Sequence, residues 1–274
     1  MPSQADKART FLELHRPGAP LLLPNPWDAG SARLLVSAGF GALATTSGGF
    51  AASLGRLAGS ISRDEAIAHA ASIVSSVDVP VSADLENCFS DDPSGVADTV
   101  RLAVGAGLAG CSVEDHRPGG DDPIYDLGLA RERVAAACEA ARQGEVHLVI
   151  TARAENFLHG RDDLDDTIRR LQAYQEAGAD VLYAPRLTRI EDIRAVVTSL
   201  DRPVNVLALP GVPSVEELAA AGVARISVGS GFANVAWGAL LRAAAEFKQS
   251  GTYGWTELAG EGSKAVRSTF AGRP

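Results

Sequence analysis

The sequence predicts a (β/α)8 barrel, the TIM-barrel class of α/β fold, in a single domain. Three observations predict it. Eight short apolar runs recur along the 274 residues, alanine-rich segments with apolar residues at helical spacing lie between them, and a glycine closes several of those segments just before the next run. Apolar runs without strict alternation mark strands covered on both faces, hence a parallel sheet. Eight strand–helix units fit a closed barrel. A doubly wound open sheet is the alternative, but it offers no reason for the count to stop at eight.

In chain order, strands are expected at 20–24, 42–46, 79–84, 110–114, 147–153, 180–185, 203–208 and 224–229. Helical spacing is clearest over 63–77 and 163–177. The stretches "SAGFGAL", "GAGLAGCS", "EAGADVL" and "AAGVARI" each place a glycine between a helix and the next strand. There is no linker, low-complexity stretch or shift of composition, so 1–274 reads as one domain, with a core over about 18–250 and a tail over 251–274. After Tyr253 the tail reads as a further helix or a subunit-contact arm.

A net charge of −9 and a pI near 5.1 argue against nucleic acid or an anionic membrane as partner. No uninterrupted apolar stretch is long enough to span a bilayer, and the first ten residues lack a signal-like apolar core. Cys88, Cys111 and Cys138 are an odd count without metal-like spacing, which points to core fillers in a reduced, cytoplasmic setting.

In such a barrel the active site lies at the C-terminal ends of the strands. Asp84 and Glu86 fall there after strand three, Glu114 and Asp115 after strand four, Arg153 and Glu155 after strand five. Ser47-Gly48-Gly49 follows strand two, and "PNPWDA", with Asn25, Trp27 and Asp28, follows strand one. Asp84, Glu86 and Glu114 together, with no His or Cys ligand set beside them, are hard oxygen donors suited to Mg²⁺ or Mn²⁺. Asp91 and Asp92, just ahead of "PSGVADTV", read instead as a helix start. Ser47 and Gly48 offer backbone N–H groups to an anionic oxygen, or simply form a turn. Arg153 reads either as a clamp for a substrate carboxylate or as the ion-pair partner of Glu114 or Glu155. His116 reads as an acid or base, or as a solvated loop histidine, and His159 lies beyond strand five. "SVGSGFAN" after strand eight reads as a tight strand-to-helix turn, with phosphate binding as the alternative. Lys7, Lys248 and Lys264 are the only lysines and lie away from the expected strand ends, which argues against a Schiff-base aldolase or decarboxylase mechanism.

The stretches "LPNPWDAGSARLLVSAGFGALATTSGG", "VPVSADLE", "SVEDH", "ITARAENFL" and "VNVLALPGVPSVEELAAAGVARISVGSG" together resemble the isocitrate lyase/phosphoenolpyruvate mutase superfamily, most closely its short bacterial branch. The resemblance runs in order from about Phe11 to Trp255. It implies a barrel that binds Mg²⁺ and a small 2-oxo acid and works through a metal-bound enolate. It further implies Asp84 as metal ligand, with Glu86 and Glu114 acting directly or through water. Ser47, Gly48, Trp27 and Arg153 would bind substrate, with Arg153 and His116 taking part in the chemistry. Members of the family are often dimers or tetramers, so a homo-oligomer is expected.

Departures from the pattern narrow the reaction. The isocitrate and methylisocitrate lyases carry a Lys-x-Cys-Gly-His segment after strand four, where this chain reads "RPGGDDPIYD". The Lys and Asn that phosphonomutases use in that loop are also missing. Relatives read Gly-Tyr-Gly where this chain has Cys88-Phe89-Ser90, and Ala58 stands near the place of an expected Asp. A bulky Cys88-Phe89 pair is expected to reshape the loop over the metal. The leading expectation is an Mg²⁺-dependent lyase cleaving a C–C bond in, or decarboxylating, a small 2-oxo or 2-hydroxy dicarboxylate. The alternatives are a phosphonopyruvate-type mutase or hydrolase, for which the loop after strand four offers only Arg117 before Arg131 and Arg186 after strand six would add to it, and a catalytically weakened barrel that binds an oxo acid.

Overall fold

The structure is a computed structural model that describes residues 2–119 and 122–271. Eight parallel strands are present among the described residues: β1 (Leu21–Leu23), β2 (Leu43–Ala44), β3 (Val81–Ala83), β4 (Gly110–Glu114), β5 (Val149–Arg153), β6 (Val181–Tyr183), β7 (Val204–Leu207) and β8 (Arg225–Ser227). They follow the order β1-β8-β7-β6-β5-β4-β3-β2. Between β1 and β2 the wall is joined by the Ala44 N–H donating to Pro24 O (3.1 Å) and by Asn25 Nδ2 donating to Thr45 O (2.9 Å). The chain is therefore a nearly closed (β/α)8 barrel.

The helices are α1 (Gln4–Glu13), α2 (Ala29–Ser37), α3 (Ser47–Ser53), α4 (Arg63–Ser76), α5 (Pro93–Gly105), α6 (Leu127–Ala141), α7 (Leu164–Glu176), α8 (Ile190–Thr198), α9 (Val215–Ala220), α10 (Gly231–Ser250) and α11 (Thr256–Phe270). Only β4 matches its expected bounds. The other strands are shorter because flanking residues such as Pro20, Pro80 and Pro203 lead into the ladder without belonging to it. Helix α4 starts at a capping box, in which the side chains of Ser62 and Glu65 satisfy each other's backbone N–H groups. The glycines of the four expected helix stops (Gly39, Gly107, Gly178 and Gly222) all take left-handed φ, between 83° and 104°.

Three helices were not in the expected pattern or only partly so. Helix α1 starts at a Ser3–Asp6 capping box and drives Phe11, fully buried, under the barrel. There Phe11 packs with Leu23, Ala109, Val149 and Val181. Gly110 makes this plug possible, since a Cβ there would stand 2.8 Å from Val149 O and 2.9 Å from the Phe11 ring. Helix α3 replaces the turn expected at Ser47-Gly48-Gly49. The tail forms α11, which lies on α2: Arg33 donates to Thr269 O (3.3 Å) and stacks over the Phe270 ring at 4.5 Å. Residues 272–274 of the expected tail, and Gly120 and Asp121 of "RPGGDDPIYD", lie outside the described residues.

Several sequence expectations need correction here. Asp92 does occupy the N-cap of α5, but its side chain makes no cap hydrogen bond, and the helix opens on Pro93. Asp91 instead accepts a short hydrogen bond from the Tyr125 hydroxyl. Cys88 is fully buried, with its thiol turned toward Ser112 O, as the core-filler reading expects. All three cysteines are free and buried, and burial pushes the thiols of Cys88 and Cys138 up to about 12.

Candidate active site

Strand ends deliver the charged residues to one place. Arg153, the last residue of β5, lies among three carboxylates. Its Nη1 is 2.8 Å from Glu114 Oε1 and 3.3 Å from Asp84 Oδ1, and its Nε is 2.7 Å from Glu155 Oε1. The Tyr183 ring, from the residue paired with Arg153 across β5 and β6, lies 4.9 Å from the guanidinium carbon. Burial opposes the Arg153 charge, but Glu114, Glu155 and Asp84 outweigh it and hold its pKa well above the usual value. Both sequence readings of Arg153 thus remain compatible: it is ion-paired, and it also lines the cleft.

That cleft, of ≈ 360 Å³, is lined by Ser47, Gly48, Asp84, Glu86, Glu114 and Arg153, among others. A smaller cavity of ≈ 60 Å³ adjoins it inside the barrel, with Asp84, Arg153, Tyr183 and Gly229 lining both. Asp84 Oδ2 accepts from the Ser47 N–H (3.1 Å) and from Ser47 Oγ (2.9 Å). The Ser47 N–H, one of the two donors expected to face a substrate oxygen, is therefore directed at Asp84 in this structure, as is the Ser47 hydroxyl. Gly48 earns its identity sterically, because a Cβ there would stand 2.9 Å from Ser230 Oγ. Ser230, after β8, also bonds Thr46 Oγ1 at 2.8 Å and so ties that loop to α3.

Burial drives the Glu114 carboxyl well above its usual range, against the pull of Arg153, and the charges of Glu155, Asp84 and Glu86 add to the rise. Burial, and then the Asp84 charge, raise Glu86 in the same way. Glu155, fully buried, is also raised by burial, and its Oε2 has no hydrogen-bond partner. Three carboxylates thus surround the Arg153 guanidinium and Glu86 lines the same cleft, leaving a surplus of negative charge that only further protons or another cation can offset. Among the described residues, no three His, Cys, Asp or Glu side chains already stand in coordinating geometry, since Arg153 bridges Asp84 and Glu114. The donor chemistry nonetheless fits a hard divalent cation: oxygen donors, excess negative charge and an orphaned carboxylate oxygen.

The other expected residues divide. His116 lines the cleft, stacked on His159 with ring centroids 4.1 Å apart. It is not an isolated loop histidine, and burial lowers its pKa to about 4, helped by His159 and Arg153. At neutral pH it is a neutral imidazole, able to accept a proton but carrying no imidazolium charge. Ala58 lines the cleft beside Gly48. Trp27 is not among the lining residues: its indole packs against Trp237 of α10, ring centroids 6.3 Å apart, and its carbonyl bonds His69. Asn25 clasps the N–H groups of Val228 and Gly229, and Asp28 caps α2. Asp115 lies behind the site, where Tyr174, Arg170 and the Glu155 N–H all donate to it. Tyr183 was missed as a site residue, while Ser230 and His159 were noted only within the turn after strand eight and as a histidine beyond strand five, and all three line the cleft. Tyr183 had a signal, its place at the end of a strand beside Arg153, whereas the other two reach the cleft through loop geometry.

This arrangement of strand-end carboxylates and a clamped arginine occurs on a chain whose residues 11–248 match the family profile described as phosphoenolpyruvate phosphomutase. The chain belongs to the isocitrate lyase/phosphoenolpyruvate mutase superfamily. Within it, the chain is 51% identical to a crystal structure from Burkholderia cenocepacia J2315, provisionally assigned as a lyase/mutase, with a TM-score of 0.93 over 96% of each chain. It is 30% identical over 237 residues to the 2-methylisocitrate lyase of Escherichia coli K12, covering 78% of each. It is 27% identical to a 2,3-dimethylmalate lyase structure, with a TM-score of 0.82 over 93% of this chain and 90% of that one. The family and these relatives support the general lyase/mutase type for this chain.

Proposed function

We propose that the protein is an Mg²⁺- or Mn²⁺-dependent lyase that cleaves a C–C bond in, or decarboxylates, a small 2-oxo or 2-hydroxy dicarboxylate. The observation that carries this reading is the surplus of carboxylates around Arg153 at the barrel mouth. Asp84, Glu86 and Glu114 would hold the cation, which when bound supplies Lewis-acid stabilisation of negative charge developing on a substrate oxygen. Arg153 would orient the substrate carboxylate through its planar guanidinium. The Ser47 hydroxyl and N–H, now directed at Asp84, would turn to a substrate oxygen, with Gly48 leaving the space for it. His116, neutral and stacked on His159, would wall off water and take up a proton at a ring nitrogen. The named lyases among the relatives support C–C chemistry.

A phosphonate substrate fits less well. Arg153 is the one Lys or Arg lining the cleft among the described residues, while Arg117 and Arg131 are exposed and Arg186 lines a different hollow. We read the protein further as a cytoplasmic homo-oligomer, in keeping with its buried free thiols and with the apolar side chains exposed on α10 and α11. The test is product analysis by mass spectrometry for a panel of 2-oxo and 2-hydroxy dicarboxylates, with Mg²⁺ and after EDTA. Metal-dependent release of a 2-oxo acid, lost in Asp84→Ala, is expected. Turnover of phosphonopyruvate alone would shift the assignment to P–C chemistry, and binding without any turnover would make the protein an oxo-acid-binding barrel.

A further inference from the structure

Arg133 stands in the middle of α6, 1% exposed, and no carboxylate pairs with it among the described residues. Its guanidinium donates to backbone carbonyls alone: Nη1 to Glu114 O at 3.0 Å, Nη2 to Ser90 O at 3.1 Å and, closer still, to Asn87 O. The Tyr125 ring lies 4.0 Å from the guanidinium carbon, and Nε has no partner. A buried cation without a counter-charge is expensive. Its acceptors show what it gives in return.

The three carbonyls belong to the two segments that carry Glu86 and Glu114. Where the β3–β4 ladder ends, the Glu114 N–H still donates to Glu86 O (3.0 Å). Arg133 takes up the next carbonyls on both sides, so one guanidinium continues the pairing that backbone can no longer make. The segment after β3 needs such a clamp. Glu86, Cys88 and Phe89 all have left-handed φ of 51° to 57°, a region L-residues with side chains avoid. Tyr125 adds a second hold, since its hydroxyl accepts from Asn87 Nδ2 at 3.1 Å and donates to Asp91.

We propose that Arg133 is a positioning residue for two carboxylates it does not touch: by clamping the carbonyls of Asn87, Ser90 and Glu114 it fixes the spacing of Glu86 and Glu114, and with it the affinity of the barrel mouth for a divalent cation. The part concerning the cation rests on the functional reading above. Arg133→Met keeps most of the packing on Tyr125 and removes every donor, while Arg133→Lys keeps the charge and restores part of the hydrogen bonding.

The test uses the full chain and two readouts. Amide exchange by mass spectrometry follows peptides covering 84–90 and 112–116, and Mn²⁺ is titrated by electron paramagnetic resonance. In Arg133→Met, exchange over 86–90 rises by about tenfold or more and Mn²⁺ affinity falls by about tenfold, with Arg133→Lys between the two. If Arg133→Met does not fold, Arg133→Lys carries the test, and a loss of about threefold with native thermal stability supports the proposal. Unchanged exchange in a folded variant overturns the positioning role. Faster exchange with Mn²⁺ affinity within twofold of the parent overturns its link to the cation. A parent protein that binds no Mn²⁺ sinks the metal reading instead, and the exchange arm still decides the positioning.

Discussion

Arg153, partly buried at the barrel mouth, and Arg225, buried inside the barrel, are treated in opposite ways by their surroundings. Arg153 has three carboxylates beside it and its pKa rises. Among the described residues Arg225 has none: burial lowers its pKa to about 10, and it bonds the neutral acceptors Asn205 Oδ1 (2.9 Å), Thr151 Oγ1 (3.1 Å) and His15 Nε2 (3.2 Å). His15 must therefore stay neutral, its Nδ1–H donating to Phe11 O (2.7 Å) and its Nε2 accepting from Arg225. Burial, and then the Arg225 charge, depress its pKa from 6.5 to about 3. The unfolded chain binds the extra proton first, so the His15 contribution to stability is present above about pH 6.5 and is lost as pH falls toward about 3. Each unit of that fall costs up to about 1.4 kcal/mol. Glutamine offers the same donor and acceptor without titrating. His15→Gln is expected to flatten the decline in unfolding free energy between about pH 7.5 and about pH 5, measured by urea denaturation. An unchanged decline would remove His15 as its cause.

The loops after β3 and β6 bend through left-handed residues other than glycine. Arg186 follows β6 with φ 69° on an exposed side chain. Arg186→Gly relieves the backbone cost and loses no buried contact, and should raise the unfolding free energy by about 0.5–1 kcal/mol after the entropy of the added glycine. A loss of stability there would mean that the side chain has an anchoring role. This level also shows what the sequence could and could not reveal. Strand positions were legible because the apolar runs are covered on both faces, and helix stops because glycine alone enters left-handed φ freely. The carboxylates of β3 and β4 were legible because a strand end aims its last side chains at the barrel mouth. Helix α1 was not, since its plug depends on a single Phe11 meeting a cavity that only the closed barrel creates. The packing of Trp27 on Trp237, away from the cleft, depends on a neighbour distant in sequence. So does the bond from Ser47 to Asp84, which turns an expected oxyanion donor onto a carboxylate.

Across the whole molecule, the exposed apolar side chains concentrate at the C-terminal end. Of α10 only Ala233 is buried, while Val235, Leu240, Leu241 and Phe247 are 59–69% exposed. No residue of α11 is buried. Apolar surface on this scale calls for a cover, and a second copy of the chain is the expected one. Sedimentation velocity should show a dimer or larger assembly, and Leu241→Glu should shift it to monomer; a monomeric parent would contradict this. Among the described residues no helix is long and apolar enough to cross a membrane. The net charge of −9 bears on the site as well, because an acidic protein with surplus carboxylates at its mouth repels an anionic substrate unless a cation intervenes. The direct measurement is calorimetric titration of oxalate, a stable enolpyruvate mimic, with Mg²⁺ and then with EDTA, and Asp84→Ala as control. Binding that requires Mg²⁺ and disappears in Asp84→Ala is the predicted result. Absence of binding with Mg²⁺, or equal binding with EDTA, would contradict the divalent-cation reading of the barrel mouth.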